Sequence, residues 1–63
     1  MLRTQIKQGR RYTYKTHNSS GIFLVAEVYR EISVPRYRVV GFDKAKGKNI
    51  TVFPSQVIAL APR

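Results

Sequence analysis

Apolar residues along this chain recur with a period of two, in short runs punctuated by charged and turn-forming residues. Over residues 10–16 (Arg-Arg-Tyr-Thr-Tyr-Lys-Thr), Tyr12 and Tyr14 fall on one face of an extended segment and Arg11, Thr13 and Lys15 on the other. Asn18-Ser19-Ser20-Gly21 is a turn cluster in which Gly21 can adopt a positive φ without steric cost. Residues 22–30 make the longest expected strand. Ile22, Leu24, Ala26 and Val28 share one face, and Phe23, Val25, Glu27 and Tyr29 the other. Its first half is apolar on both sides, which implies double-sided burial or a bend.

Pro35 ends the next segment and biases Val34 towards an extended conformation. Residues 36–42 (Arg-Tyr-Arg-Val-Val-Gly-Phe) read as a third strand, and Asp43-Lys44-Ala45-Lys46-Gly47-Lys48 as a polar hairpin loop. Residues 49–53 (Asn-Ile-Thr-Val-Phe) are rich in β-branched side chains and form a fourth strand. Pro54-Ser55-Gln56 breaks it, and a short fifth strand over Val57–Leu60 stops before Pro62. Five short strands at this spacing predict an all-β fold, a single small antiparallel barrel spanning residues 1–63. The expected core is Ile22, Leu24, Ala26, Val28, Val39, Ile50, Val52, Ile58 and Leu60. Residues 1–8 read equally as a loose arm or as half a helical turn.

Composition narrows the function. The chain has 63 residues, 12 Lys and Arg, 3 acidic residues and a net charge of +9. Self-repulsion of that size costs stability, so a domain that keeps it is expected to meet a polyanion. Nucleic acid is the leading partner, because neutralised phosphates release condensed counterions. The absence of cysteine excludes disulfides and thiolate metal sites. His17 is the single histidine and Glu27, Glu31 and Asp43 are scattered, so no metal or cofactor is expected. Gly9, Gly21, Gly41 and Gly47 are isolated, which gives no phosphate-cradling loop. Ser19 and Ser20 read as turn residues with no activating base, so no enzyme is expected. No apolar run is longer than Ile22 to Ala26, far too short to span a membrane, and the first residues lack an apolar leader. A cytoplasmic location is the expectation, and the small size suits a phage or plasmid accessory protein.

The segment Val52-Phe53-Pro54-Ser55-Gln56-Val57-Ile58-Ala59-Leu60 resembles the strand, 3₁₀ turn and last strand of Src-homology-3-like barrels. That resemblance implies a 3₁₀ turn before the final strand, with Phe53 and Val57 capping the barrel. The chain departs from the peptide-binding members, having no tryptophan and no acidic loop, so proline-rich ligands are not implied. In architecture and charge it is more similar to the basic barrels of KOW-type, chromatin-type and retroviral integrase C-terminal domains, which implies contact with nucleic acid. Ile50-Thr51-Val52-Phe53-Pro54 also resembles a segment of the type II dihydrofolate reductases. Thr51 and Phe53 stand there where the glutamine and tyrosine of that family carry its chemistry, so the enzyme's activity does not follow.

Three basic clusters carry the binding expectation. Arg10, Arg11 and Lys15 surround Tyr12 and Tyr14; the cations would hold phosphates, and a tyrosine either stacks on a base or edges the core. Arg36 and Arg38 flank Tyr37 and share a strand face about 7 Å apart, near the spacing of successive phosphates. They read equally as solvated arginines beside Glu27 or Glu31. Strict alternation puts Val40 and Phe42 on that same face, which calls for a bulge or bend between the basic and apolar ends. Lys44, Lys46 and Lys48 project from a hairpin tip that touches phosphates without reading sequence, or simply keeps the protein soluble. Strand-held Arg36 and Arg38 are expected to outweigh Lys44. The expected protein is a monomer or weak homodimer that binds DNA or RNA. The alternative is an interaction module docking on an acidic protein or on itself, through a strand edge or the Phe23, Val25 and Tyr29 face.

Overall fold

The computed structural model describes residues 1–33 and 35–62; Val34, expected to be extended, lies outside them. The chain forms β1 (Arg11–Lys15), β2 (Ser20–Glu31), β3 (Arg36–Asp43), β4 (Lys48–Val52) and β5 (Val57–Leu60). Single 3₁₀ turns lie at Arg3–Gln5 and Pro54–Gln56, and there is no α-helix among the described residues. The five strands make one antiparallel sheet in the order β4-β3-β2-β1-β5. Strands β4 and β5 are its two edges, so the sheet is open in its hydrogen bonding. Among the described residues no helix is long and apolar enough to cross a membrane.

The expected strands and the turn at Pro54–Gln56 are present, but the face of β2 that enters the core is the opposite one. Phe23 and Val25 are buried, whereas Ile22 and Leu24 are 46% and 43% exposed and Ala26 is exposed. The reason is a bulge at Ala26. Val25 pairs with Gly41 and Glu27 with Val40, so Ala26 is the unpaired extra residue. One extra residue switches the inward phase from odd to even positions, and Val28 then packs against the core. The bend thus lies in β2, while β3 alternates strictly: Val39, Gly41 and Asp43 are buried and Arg36 and Phe42 exposed. No bulge separates Arg36 and Arg38 from Phe42; they share one face.

Strand β5 carries a second correction. Its register against β1 shifts between Thr13 and Tyr14, with Tyr14 opposite Val57 and Thr13 opposite Ala59. Val57 is therefore buried, while Ile58 and Leu60, both expected in the core, are more than half exposed. The core is Ile6, Tyr12, Tyr14, Phe23, Val25, Val39, Val52 and Val57, with Val28 and Ile50 packed partly against it. The Tyr14 and Phe23 rings meet edge to face at 5.0 Å.

The first eight residues are docked. Ile6 is buried, the Met1 amino group donates to the Val57 carbonyl at 2.9 Å, and the Tyr12 hydroxyl accepts from the Lys7 amide at 2.8 Å. Both 3₁₀ turns close in the same way. Gln5 Oε1 accepts from the Leu2 amide at 3.0 Å, and Gln56 Oε1 from the Phe53 amide at 2.9 Å.

Candidate nucleic-acid interface

The solvent face of the sheet is set by the same alternation that fills the core. Side chains directly opposite on paired strands share a face. The register therefore lays Arg11, Leu24, Phe42 and Asn49 in one row across β1 to β4. At about 4.8 Å between strands, that row is roughly 14 Å long. Thr13 and Ile22 form the next row, and Lys15 and Ser20 the one after. Ile22, Leu24 and Phe42, each between 43% and 46% exposed, floor an open groove of about 850 Å³ with Arg11 on one rim and Lys44 and Lys46 on the other. Arg11 and Leu24 also line an adjoining groove with Arg10, Leu60 and Pro62. The two grooves thus meet over β1 and β2.

Arg11, Lys15, Lys44 and Lys48 are exposed, as is Arg10 just before β1, and none makes an ion pair among the described residues. Arg36, Tyr37 and Arg38 lie at the far end of β3, in a separate groove or beside it. There Arg36 and Tyr37 line a wall with Arg3, Phe53 and Pro54. The Arg38 guanidinium lies 4.4 Å from the Phe53 ring centroid and donates from Nε to Glu31 at 2.9 Å. Arg36 sits over the same ring at 5.6 Å, and Arg3 over Tyr37 at 4.0 Å. The basic residues expected on β3 are therefore stacked within the protein, and Arg38 has the acidic partner that one reading assigned to it.

Tyr12 and Tyr14, for which stacking on a base was one of two expectations, are 2% and 1% exposed, so their rings belong to the core. Lys46 is likewise no free cation at a mobile tip. Its Nζ donates to the Tyr14 hydroxyl at 2.8 Å, to the Ser20 carbonyl at 2.9 Å and to Ser19 Oγ. The Tyr14 hydroxyl in turn donates to Asp43 Oδ2 at 2.6 Å. Lys46 thereby ties the turn after β1 to the hairpin after β3. The hairpin is shaped by the Asp43 carboxylate accepting from the Lys46 amide at 3.1 Å and by Gly47 at φ +66°. The Tyr14 hydroxyl, the Lys46 amide and the Lys46 ammonium hold the Asp43 carboxyl below its ordinary value of 3.8, against the upward push of burial.

Gly21 belongs to this network and is no turn glycine. Positive φ occurs only at Gly9 and Gly47 among the described residues. Gly21 stands opposite Tyr14, and a Cβ there would lie 2.7 Å from Asp43 Oδ2 and 3.2 Å from the Tyr14 hydroxyl. Its missing side chain makes room for the buried pair. Among the described residues no group of three His, Cys, Asp or Glu could hold a metal ion. Sequence reasoning missed Ile22, Leu24 and Phe42 as surface residues. The signal was the strict alternation of β3, which put Phe42 beside Arg36 and Arg38. No family model, no curated protein and no solved structure matches the chain.

Proposed function

We propose that this chain is a small barrel of the Src-homology-3-like kind, acting in the cytoplasm as a non-enzymatic, largely sequence-independent nucleic-acid-binding module. The strand order, the bend in a long β2 and the 3₁₀ turn between β4 and β5 support that architecture. One observation carries the binding reading: the protein uses its own acids on other cations. Asp43 is buried under Tyr14 and Lys46, and Glu31 is paired with Arg38, which leaves Glu27 as the remaining carboxylate side chain. Arg10, Arg11, Lys15, Lys44 and Lys48 stay exposed with no ion pair among the described residues, and Arg11 and Lys44 line the groove. The single exposed carboxylate side chain on that face, Glu27 opposite Val40, leaves most of them without counter-charge. Phosphate oxygens supply that charge, and contact with them needs no base sequence.

Fluorescence anisotropy with a labelled oligonucleotide tests the reading. Five such contacts predict a fall in affinity of about 100-fold between 50 and 200 mM salt for a single strand. Arg11→Glu is expected to weaken binding and to reduce the salt slope by about one or more. Arg36→Glu with Arg38→Glu is expected to cost less than Arg11→Glu, because those guanidiniums already stack on Phe53. Affinity that ignores salt, or no binding at low salt, would remove the proposal.

A further inference from the structure

We infer that the groove over β1, β2 and β3 takes single-stranded nucleic acid, with an unpaired base stacked on Phe42 and the flanking phosphates on Arg11 and Lys44. The inference rests on the nucleic-acid reading of the same face and adds the class of ligand.

Of the seven aromatic rings, one is both exposed and placed to meet a base in this groove. Tyr12, Tyr14 and Phe23 are buried. Tyr37 and Phe53 each already carry an arginine guanidinium over the ring. Tyr29 and Phe42 remain exposed, and Phe42 is the one that floors the groove. It stands directly opposite Leu24, beside Ile22, on a strip of apolar surface that a 63-residue domain leaves in water while its core is small.

Cations face this strip from both sides, Arg11 from β1 and Lys44 from the hairpin, and the Asp43 carboxylate turns away beneath Tyr14. The adjoining groove extends the track past Arg10 to Pro62. A duplex keeps its base faces stacked and presents phosphates alone, so the apolar floor adds nothing to duplex binding. A single strand can place a base on the ring while its backbone follows the cations, which is the arrangement of sequence-tolerant single-strand binders.

Phe42→Trp in the full chain gives a reporter, since the protein has no tryptophan of its own. It would be titrated with oligothymidylate, oligouridylate and a blunt duplex of matched length. The expected result is quenched emission with both single strands, and binding of the duplex about tenfold or more weaker. Phe42→Ala is expected to weaken single-strand binding about tenfold, Phe42→Tyr to restore it, and neither to change duplex binding more than about twofold. Oligonucleotide binding without quenching, or an equal loss for single strand and duplex in Phe42→Ala, would overturn the stacking site and leave the nucleic-acid reading standing. A dimer in light scattering that Phe42→Ala dissociates and oligonucleotides ignore would assign the groove to a second copy of the chain. Absence of binding to all three probes would bring down the underlying reading as well.

Discussion

At the scale of residues, the chain from Lys46 through Tyr14 to Asp43 is the feature with the clearest chemical consequence. A carboxylate at the inward end of a strand needs donors, and here a tyrosine hydroxyl and a backbone amide provide them, with the Lys46 ammonium 3.8 Å away adding its charge. Because these donors depress the folded-state pKa, the stabilisation from Asp43 is fully present above the unfolded value of about 3.9. It is lost as pH falls through the lower folded value. Denaturant midpoints measured from pH 7 downward are expected to hold until about pH 4 and then fall. Tyr14→Phe should lower the midpoint at neutral pH and flatten that acid limb, since the largest depressing contact is gone. An unchanged acid limb in Tyr14→Phe would show that Asp43 is held by other donors. The sequence made this network hard to read, because an aspartate before a lysine-rich loop looks like a turn residue. Its phase with Val39 and Gly41 was the available sign that its side chain points inward.

At the scale of elements, β2 decides what the core contains. Both faces of its first half are apolar, so alternation alone gives two equal phases, and the bulge at Ala26 carries no glycine or proline to announce it. The strand itself was legible; its inward face was not. Phe23→Ala is expected to cost about 3–5 kcal/mol as a core cavity, and Leu24→Ala about 1 kcal/mol or less. Equilibrium unfolding in urea separates the two, and a larger loss at Leu24 would contradict the assigned phase. Gly41 tests the same packing from the other side. A Cβ there would lie 2.6 Å from the Leu24 carbonyl oxygen and collide with the Phe23 ring, so Gly41→Ala should cost about 1–3 kcal/mol or more by overpacking. Gly41 thus serves close approach of β2, as Gly21 does for Tyr14, while Gly47 serves the hairpin's positive φ.

At the scale of the whole molecule, strand number, strand order of appearance and the 3₁₀ turn at Pro54 were readable from punctuation by Gly, Pro and polar clusters. The excess of cations was readable from composition. What composition could not convey is which cations the fold occupies internally. Arg38, Lys46 and Arg3 are engaged with Glu31, Tyr14 and Tyr37, whereas Arg10, Arg11, Lys15 and Lys44 are left around the Leu24 and Phe42 face. Contacts distant in sequence make much of that division, since Lys46 reaches Tyr14 across 32 residues and Arg3 reaches the Tyr37 ring. Amide chemical-shift mapping by NMR during titration with a short oligonucleotide shows whether nucleic acid binds on this face. The expected perturbations are centred on Arg11, Ile22, Leu24, Phe42 and Lys44, with Tyr37, Phe53 and Ser55 unmoved. Shifts centred on the 3₁₀ turn and its arginine stack, or no shifts at low salt, would contradict binding on this face.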